Sequence, residues 1–177
     1  MRIALTGVPG TGKTALANAL GKGGFDIISL NELVVERKLW VRVDKFGSKV
    51  ADIKKLQLET NKILKNRRNC VVEGHLACEM KLKCDVAVVC RTRPDILEKR
   101  LRKRGYPQEK LNENLMCELL DYCTIRSLSN YKNVYEIETG GSIGRNVARI
   151  MRVTTGRGER FRAGWVSWGK ELLAAVG

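Results

Sequence analysis

Residues 7–14 read Gly-Val-Pro-Gly-Thr-Gly-Lys-Thr and satisfy G-x-x-x-x-G-K-[ST] at every defined position. Glycines let a backbone curl until successive N–H groups point inward at phosphate oxygens. A helix that starts at the end of the loop adds the positive end of its dipole. The lysine supplies a mobile point charge for β- and γ-phosphates, and the threonine offers a hydroxyl to Mg²⁺. An ordinary strand-to-helix turn has no use for the Lys13-Thr14 pair. The flanks agree with the motif: an apolar run, Arg2–Thr6, comes immediately before it and an amphipathic stretch, Thr11 to Leu20, immediately after. Strand, phosphate loop and helix in that order restrict the chain to an α/β fold around a parallel sheet.

The rest of the chain repeats the alternation. Strands are expected at 26–30, 70–72, 85–90 and 134–137, the middle two as continuous apolar runs that suit burial on both faces. Helices are expected at about 33–39 (capped by Asn31-Glu32), 49–66, 94–103 with Pro94 in its first turn, 111–128 and 143–153. At 177 residues the chain is long enough for one such domain, assigned to 1–153. Residues 154–163 read as a polar, basic linker. An amphipathic C-terminal helix is expected over 164–176, with Trp165, Trp168, Leu172 and Leu173 on one face, so that 154–177 forms a tail.

Composition excludes several classes. No apolar run approaches the roughly 20 residues of a membrane span, and the first ten residues lack the apolar core of a secretory signal. No membrane contact and a cytoplasmic location are therefore expected. Six cysteines occur without a Cys-x-x-Cys pair, which favours reduced thiols over a zinc site. Lys plus Arg number 33 against 19 Asp plus Glu, a formal net charge of +14, and such an excess attracts polyanions.

Phosphate chemistry needs companions to the loop. Cys70-Val71-Val72-Glu73 is a strand that ends on an acid, so Glu73 is the candidate to support Mg²⁺ together with Thr14; Asp85 precedes its strand and faces the wrong sheet edge. His75, the single histidine, could orient a water or contact a phosphate, or could simply pack. Arg91 follows its strand on the edge that carries the loop. Arg100 and Arg104 share one face of a helix, and Gly105-Tyr106-Pro107 breaks that helix into a lid-like corner. Arg91, Arg100, Arg104, Lys13 and His75 are the candidate catalytic set, while Arg102 and Lys103 read as solvated surface.

The loop GVPGTGKT, the stretch VVEGHLA and the run VVCRTRPDILEKRLRKRGYPQEKLNENLMCEL together resemble the adenylate kinase isoenzymes of the CINAP type, over about residues 1–140. That group includes a factor that acts late in small-ribosomal-subunit maturation. The resemblance implies a P-loop nucleoside monophosphate kinase fold with a five-stranded parallel sheet, helices on its faces and a short lid at about 103–113. It implies transfer of the ATP γ-phosphoryl group to AMP with broad nucleotide specificity, weak ATPase activity and Mg²⁺ as the cofactor of ATP. By position, Gly10, Gly12, Lys13, Thr14, Ala15 and Arg104 would bind ATP, Thr14 and Glu73 would hold the metal, and His75 would serve hydrolysis. The segment at about 29–50 would bind AMP through Ser29, Glu32, Leu33 and Lys38. Two departures stand out: Glu73 replaces the family's usual Asp, and the 29–50 segment is more basic than usual.

Two rival readings accompany the kinase. One is a nucleotide-switched assembly factor that grips rRNA or a small-subunit ribosomal protein, for which Arg145, Arg149, Arg152, Arg157, Arg160 and Arg162 would supply charge and Trp165 and Trp168 stacking or simple core packing. The other is a small-molecule kinase such as one acting on shikimate, which would share the loop but not the arginine-helix signature.

Overall fold

A computed structural model describes residues 1–169 and 171. Five parallel strands form one sheet in the order β2 (Asp26–Ser29), β5 (Cys70–Glu73), β1 (Arg2–Thr6), β6 (Val86–Arg91) and β7 (Val134–Glu138). The register aligns the strand ends: Leu5 lies beside Glu73, Thr6 beside Val89, and Arg91 beside Glu138. The segments that leave β1, β5, β6 and β7 therefore converge on one edge, where parallel α/β sheets bind ligands.

Alternation along the strands splits the core into two layers. Ile3, Leu5, Val71, Val88 and Ile137 pack on one face against α1 (Lys13–Lys22) and α7 (Ile143–Thr154). Ala4, Val72, Ala87 and Val89 pack on the other against α2 (Leu30–Glu36), α3 (Ile53–Lys65), α4 (Pro94–Lys103) and α5 (Gln108–Leu119). Leu97 and Leu101, four apart on α4, are fully buried there, as an amphipathic stripe requires.

Three expected elements before Ser142 differ from the structure. Helix α2 starts at Leu30 rather than at 33, because the Ser29 hydroxyl accepts from the Glu32 amide at 3.3 Å and caps it. The stretch assigned to a helix from 49 is first a strand: β3 (Trp40–Val43) and β4 (Lys49–Ala51) form an antiparallel hairpin, and α3 begins only after Asp52, whose carboxylate accepts from the Lys55 amide. The hairpin turn is held by Asp44, which accepts from the amides of Phe46 and Ser48 at 2.8 Å each, and by Gly47 at φ +76°. The long helix over 111–128 is two, α5 and α6 (Tyr122–Asn130), broken where Asp121 adopts φ +55°. Asp is among the few residues that tolerate that region, and the break turns its carboxylate onto Arg91.

Arg91 is the largest correction. Its side chain is 1 % exposed and lies inside the fold, where Nε donates to Glu118 Oε1 at 2.8 Å, Nη1 to Glu136 Oε1 at 2.6 Å, and Nη2 to Asp121. A guanidinium in this position balances buried carboxylates. The same carboxylates hold the C-terminal segment. Glu136 Oε2 accepts from the amides of Gly164 and Val166, and Trp168 Nε1 donates to Glu118 Oε1 at 2.9 Å. Ala163 pairs with Val134 and Arg162 bridges Tyr135, so residues 161–168 lie along the exposed edge of β7 as a strap. The expected linker is thus a docked segment, with Phe161 buried, and residues 164–168 are not helical. Leu172 and Leu173, expected on the face of a C-terminal helix, lie outside the described residues.

Removing the cation from buried carboxylates costs about 3–5 kcal/mol. Arg91→Met is expected to lower unfolding free energy by about that amount in denaturant titration; a loss below about 1 kcal/mol with a large fall in turnover would instead return Arg91 to the active site.

Candidate active site

The loop between β1 and α1 is shaped by its glycines. Gly7 has φ +131°, and a Cβ there would collide with the Cys90 carbonyl; Gly10 has φ +92°, and a Cβ would come to 2.8 Å from Leu97 Cδ1. Neither position admits a side chain. The curl is braced from inside and outside. Thr11 Oγ1 donates to the Val8 carbonyl at 2.9 Å, and Arg100 Nη1 donates to the Gly10 carbonyl at 3.2 Å. Thr139, the residue after β7, donates through Oγ1 to the Thr11 carbonyl at 2.6 Å and lies 2.6 Å from Thr92 Oγ1.

Lys13 is 7 % exposed and its Nζ donates to the Val8 carbonyl at 3.0 Å. Burial lowers its pKa, opposed by the negative field of nearby groups that include Glu73. Thr14 Oγ1 donates to Glu73 Oε1 at 3.2 Å, and Glu73 is 5 % exposed with no ion-pair partner among the described residues. His75 opens a short 3-10 turn, His75–Glu79, just past β5. Its ring is open to the cavity, yet the enclosing wall, Lys13 and Lys110 push its pKa down to about 4, so it is neutral at pH 7.

Two cavities meet at the loop. The larger, about 870 Å³, runs from Gly12, Lys13 and Thr14 past Glu73 and His75 to the β3–β4 hairpin and the start of α5. The smaller, about 540 Å³, lies between α4 and the β7–α7 connection, with Arg100, Thr139 and Asn146 on its walls. Gly10, Gly12, Ala15 and Arg104 line both. The structure thus gathers Gly10, Gly12, Lys13, Thr14, Ala15, Glu73, His75, Arg100 and Arg104 around one space and leaves Arg91 out. It also leaves out Ser29, Glu32, Leu33 and Lys38: Ser29 caps α2, Leu33 is in the core, and none lines either cavity. Helix α2 presents Asn31, Val34 and Val35, at i, i+3 and i+4, to the larger cavity.

Comparison with known proteins agrees with this geometry. An AAA domain family model matches residues 3–121. A protein of Pyrococcus abyssi named "Putative adenylate kinase" is 36% identical over 169 residues, which is 95% of this chain and 91% of the relative. One of Methanocaldococcus jannaschii with the same name is 34% identical over 170 residues, at 95% and 93% coverage. The chain belongs to this adenylate kinase family. Solved structures place the fold among P-loop kinases: a shikimate kinase from Bacteroides thetaiotaomicron superposes with a TM-score of 0.63 at 20% identity, covering 88% of this chain and 98% of that one. A deoxyadenosine kinase from M. mycoides gives 0.56 at 15% identity, with 88% and 100% covered.

As a member of the adenylate kinase family, the chain is a nucleotide kinase, and the residues that sequence reasoning missed cluster at the end of the larger cavity nearest α2, the β3–β4 hairpin and α5. Asn31, Asp44, Ser48, Tyr106, Lys110 and Asn114 all line it. Lys110 and Asn114 were legible as an i, i+4 pair opening a helix beyond the Gly-Tyr-Pro corner. Thr139 had no local signal beyond its place after a strand.

Proposed function

We propose that this adenylate kinase family member transfers the γ-phosphoryl group of Mg²⁺-ATP to AMP, accepts other monophosphates, and hydrolyses ATP slowly when water takes the acceptor's place. The supporting observation is the pair of cavities that share the phosphate loop. The smaller has room for a donor nucleoside beside α4. The larger, within the roughly 300–1,000 Å³ of small-molecule sites, has room for an acceptor. An acceptor phosphate oxygen attacks the γ-phosphorus, the bond to the β-phosphate oxygen breaks, and two diphosphates result.

The protein's part is to position the groups and stabilise charge. The amides of 10–15 cradle the donor phosphates, and Lys13 exchanges the Val8 carbonyl for a phosphate oxygen, which restores a partner to a buried ammonium. Arg104, on the wall of both cavities, and Arg100, braced on the loop, add charge near the moving group. Neutral His75 orients the attacking water or acceptor oxygen. Thr14 Oγ1 and Glu73, which forms no ion pair among the described residues, offer hard oxygen donors that suit Mg²⁺; when bound, it would offset charge on the phosphates. The sequence signature running from Val88 to Leu119 supports a CINAP-type assignment within the family.

Lys13→Ala is expected to abolish AMP-dependent ADP formation with the fold intact by circular dichroism; an unchanged rate would remove the mechanism. Parallel assays with AMP, CMP, UMP, dAMP, shikimate and water then separate a monophosphate kinase, a small-molecule kinase and an ATPase.

A second reading, a role in small-subunit maturation through rRNA or a ribosomal protein, draws on one observation. Arg145, Arg152, Arg157 and Arg160 are exposed on and after α7, and none forms an ion pair among the described residues, whereas Arg162 pairs with Glu159. Four exposed arginines with no carboxylate partner suit a polyanion. Binding of single-stranded RNA is expected to weaken steeply as salt rises, with a slope of about −0.7 per phosphate contacted; no binding at low salt would exclude RNA as the partner.

A further inference from the structure

The acceptor wall of the larger cavity is poor in positive charge. Asn31, Val34, Val35, Asp44, Ser48 and Val50 carry none, and Lys49 lies over the Trp40 ring, its Nζ 4.1 Å from the centroid. A monophosphate dianion brought up to a triphosphate meets strong repulsion, so a cation is needed on that side. Lys110 is the only cation of α5, and it is half-buried at the corner where α5 meets the hairpin.

Its surroundings are unusual for a lysine. Nζ donates to Ser48 Oγ at 2.6 Å and lies 5.6 Å from the Phe46 ring centroid and 5.4 Å from that of Tyr106. No carboxylate comes within ion-pair distance of it among the described residues. Of the acids nearby, Asp44 uses one oxygen for both hairpin amides and feels the Lys110 charge without reaching ion-pair distance, and Glu109 pairs with Lys45. A neutral hydroxyl and two aromatic faces form a weak hold that a phosphate, as a charge-assisted acceptor, outcompetes. The corner it rides on turns at Gly105, with φ +70° and open space around it.

We propose that Lys110 binds the acceptor's phosphate, leaving Ser48 to do so. The proposal rests on the monophosphate acceptor argued above. Asn114, one turn further along α5 and on the same wall, donates to the Lys110 carbonyl at 2.6 Å and fixes the first turn from which the lysine extends.

Steady-state kinetics of the full chain and its K110M, K110R and S48A variants, each matched to wild type in melting temperature, test this. Expected is a rise in KM for AMP of about tenfold or more in K110M, the size of one charge-assisted contact, with KM for ATP within about twofold. K110R should recover part of the loss, and S48A should leave KM for AMP unchanged or lower it. Equal changes in both KM values, no change in either, or S48A matching K110M would overturn the proposal and make Lys110 a strut of the hairpin. Calorimetric titration with AMP separates this from the transfer reading. A wild-type chain that binds AMP without turning it over refutes transfer alone, and tenfold weaker AMP binding by K110M then still supports Lys110, while equal binding overturns it. A wild-type chain that binds no monophosphate overturns both.

Discussion

The loop after β1 can take its curl only because Gly7 has no Cβ, which would collide with the Cys90 carbonyl. That approach is a product of register. Parallel pairing sets Thr6 beside Val89, so the chain leaving β1 must turn directly against the end of β6. Everything else at the site is arranged around that curl. Gly10 yields to Leu97, Thr139 and Arg100 hold the loop's outward carbonyls, and Lys13 is drawn inward onto Val8. A loop fixed in this way presents its amides already oriented, so little reorganisation remains when charge arrives.

The buried cluster behind the loop explains why Arg91 is where it is. An arginine at the end of a strand on the ligand edge invites a role in catalysis, but three acidic side chains, from α5, β7 and the α5–α6 break, enclose it first. Two of those carboxylates, Glu118 and Glu136, are shared with the strap, so the edge of β7 is covered and α5 is anchored at its far end while its near end carries Lys110. Thr92 links the two regions: its amide donates to Glu118, and its hydroxyl lies against Thr139, which holds Thr11. A continuous set of hydrogen bonds thus runs from Trp168 to the phosphate loop.

Much of the fold could be read from periodicity and from one motif. Five strands, the phosphate loop and the helices at 94–103 and 143–153 need only local pattern, and the acid ending β5 follows from strand polarity. What escaped was set by tertiary pairing. The hairpin strands alternate too briefly to outweigh the helical spacing of Val50, Ile53 and Leu56, and the break at Asp121 exists because its carboxylate meets Arg91. The strap looked like a linker because its polar character conceals backbone amides that satisfy Glu136. On α2 the positions carried over from the family resemblance include Glu32 and Leu33, whereas the helix packs with Leu33 in the core and with Asn31, Val34 and Val35 on the cavity wall.

The proposed transfer requires two nucleotides to meet head to head across one phosphate loop. Calorimetric titration with a dinucleotide of two adenosines joined by five phosphates, in the presence of magnesium, tests it most directly. One molecule per chain, displaced by ATP and by AMP alike, is the predicted result. Displacement by ATP but not by AMP, or no heat at all, would contradict it.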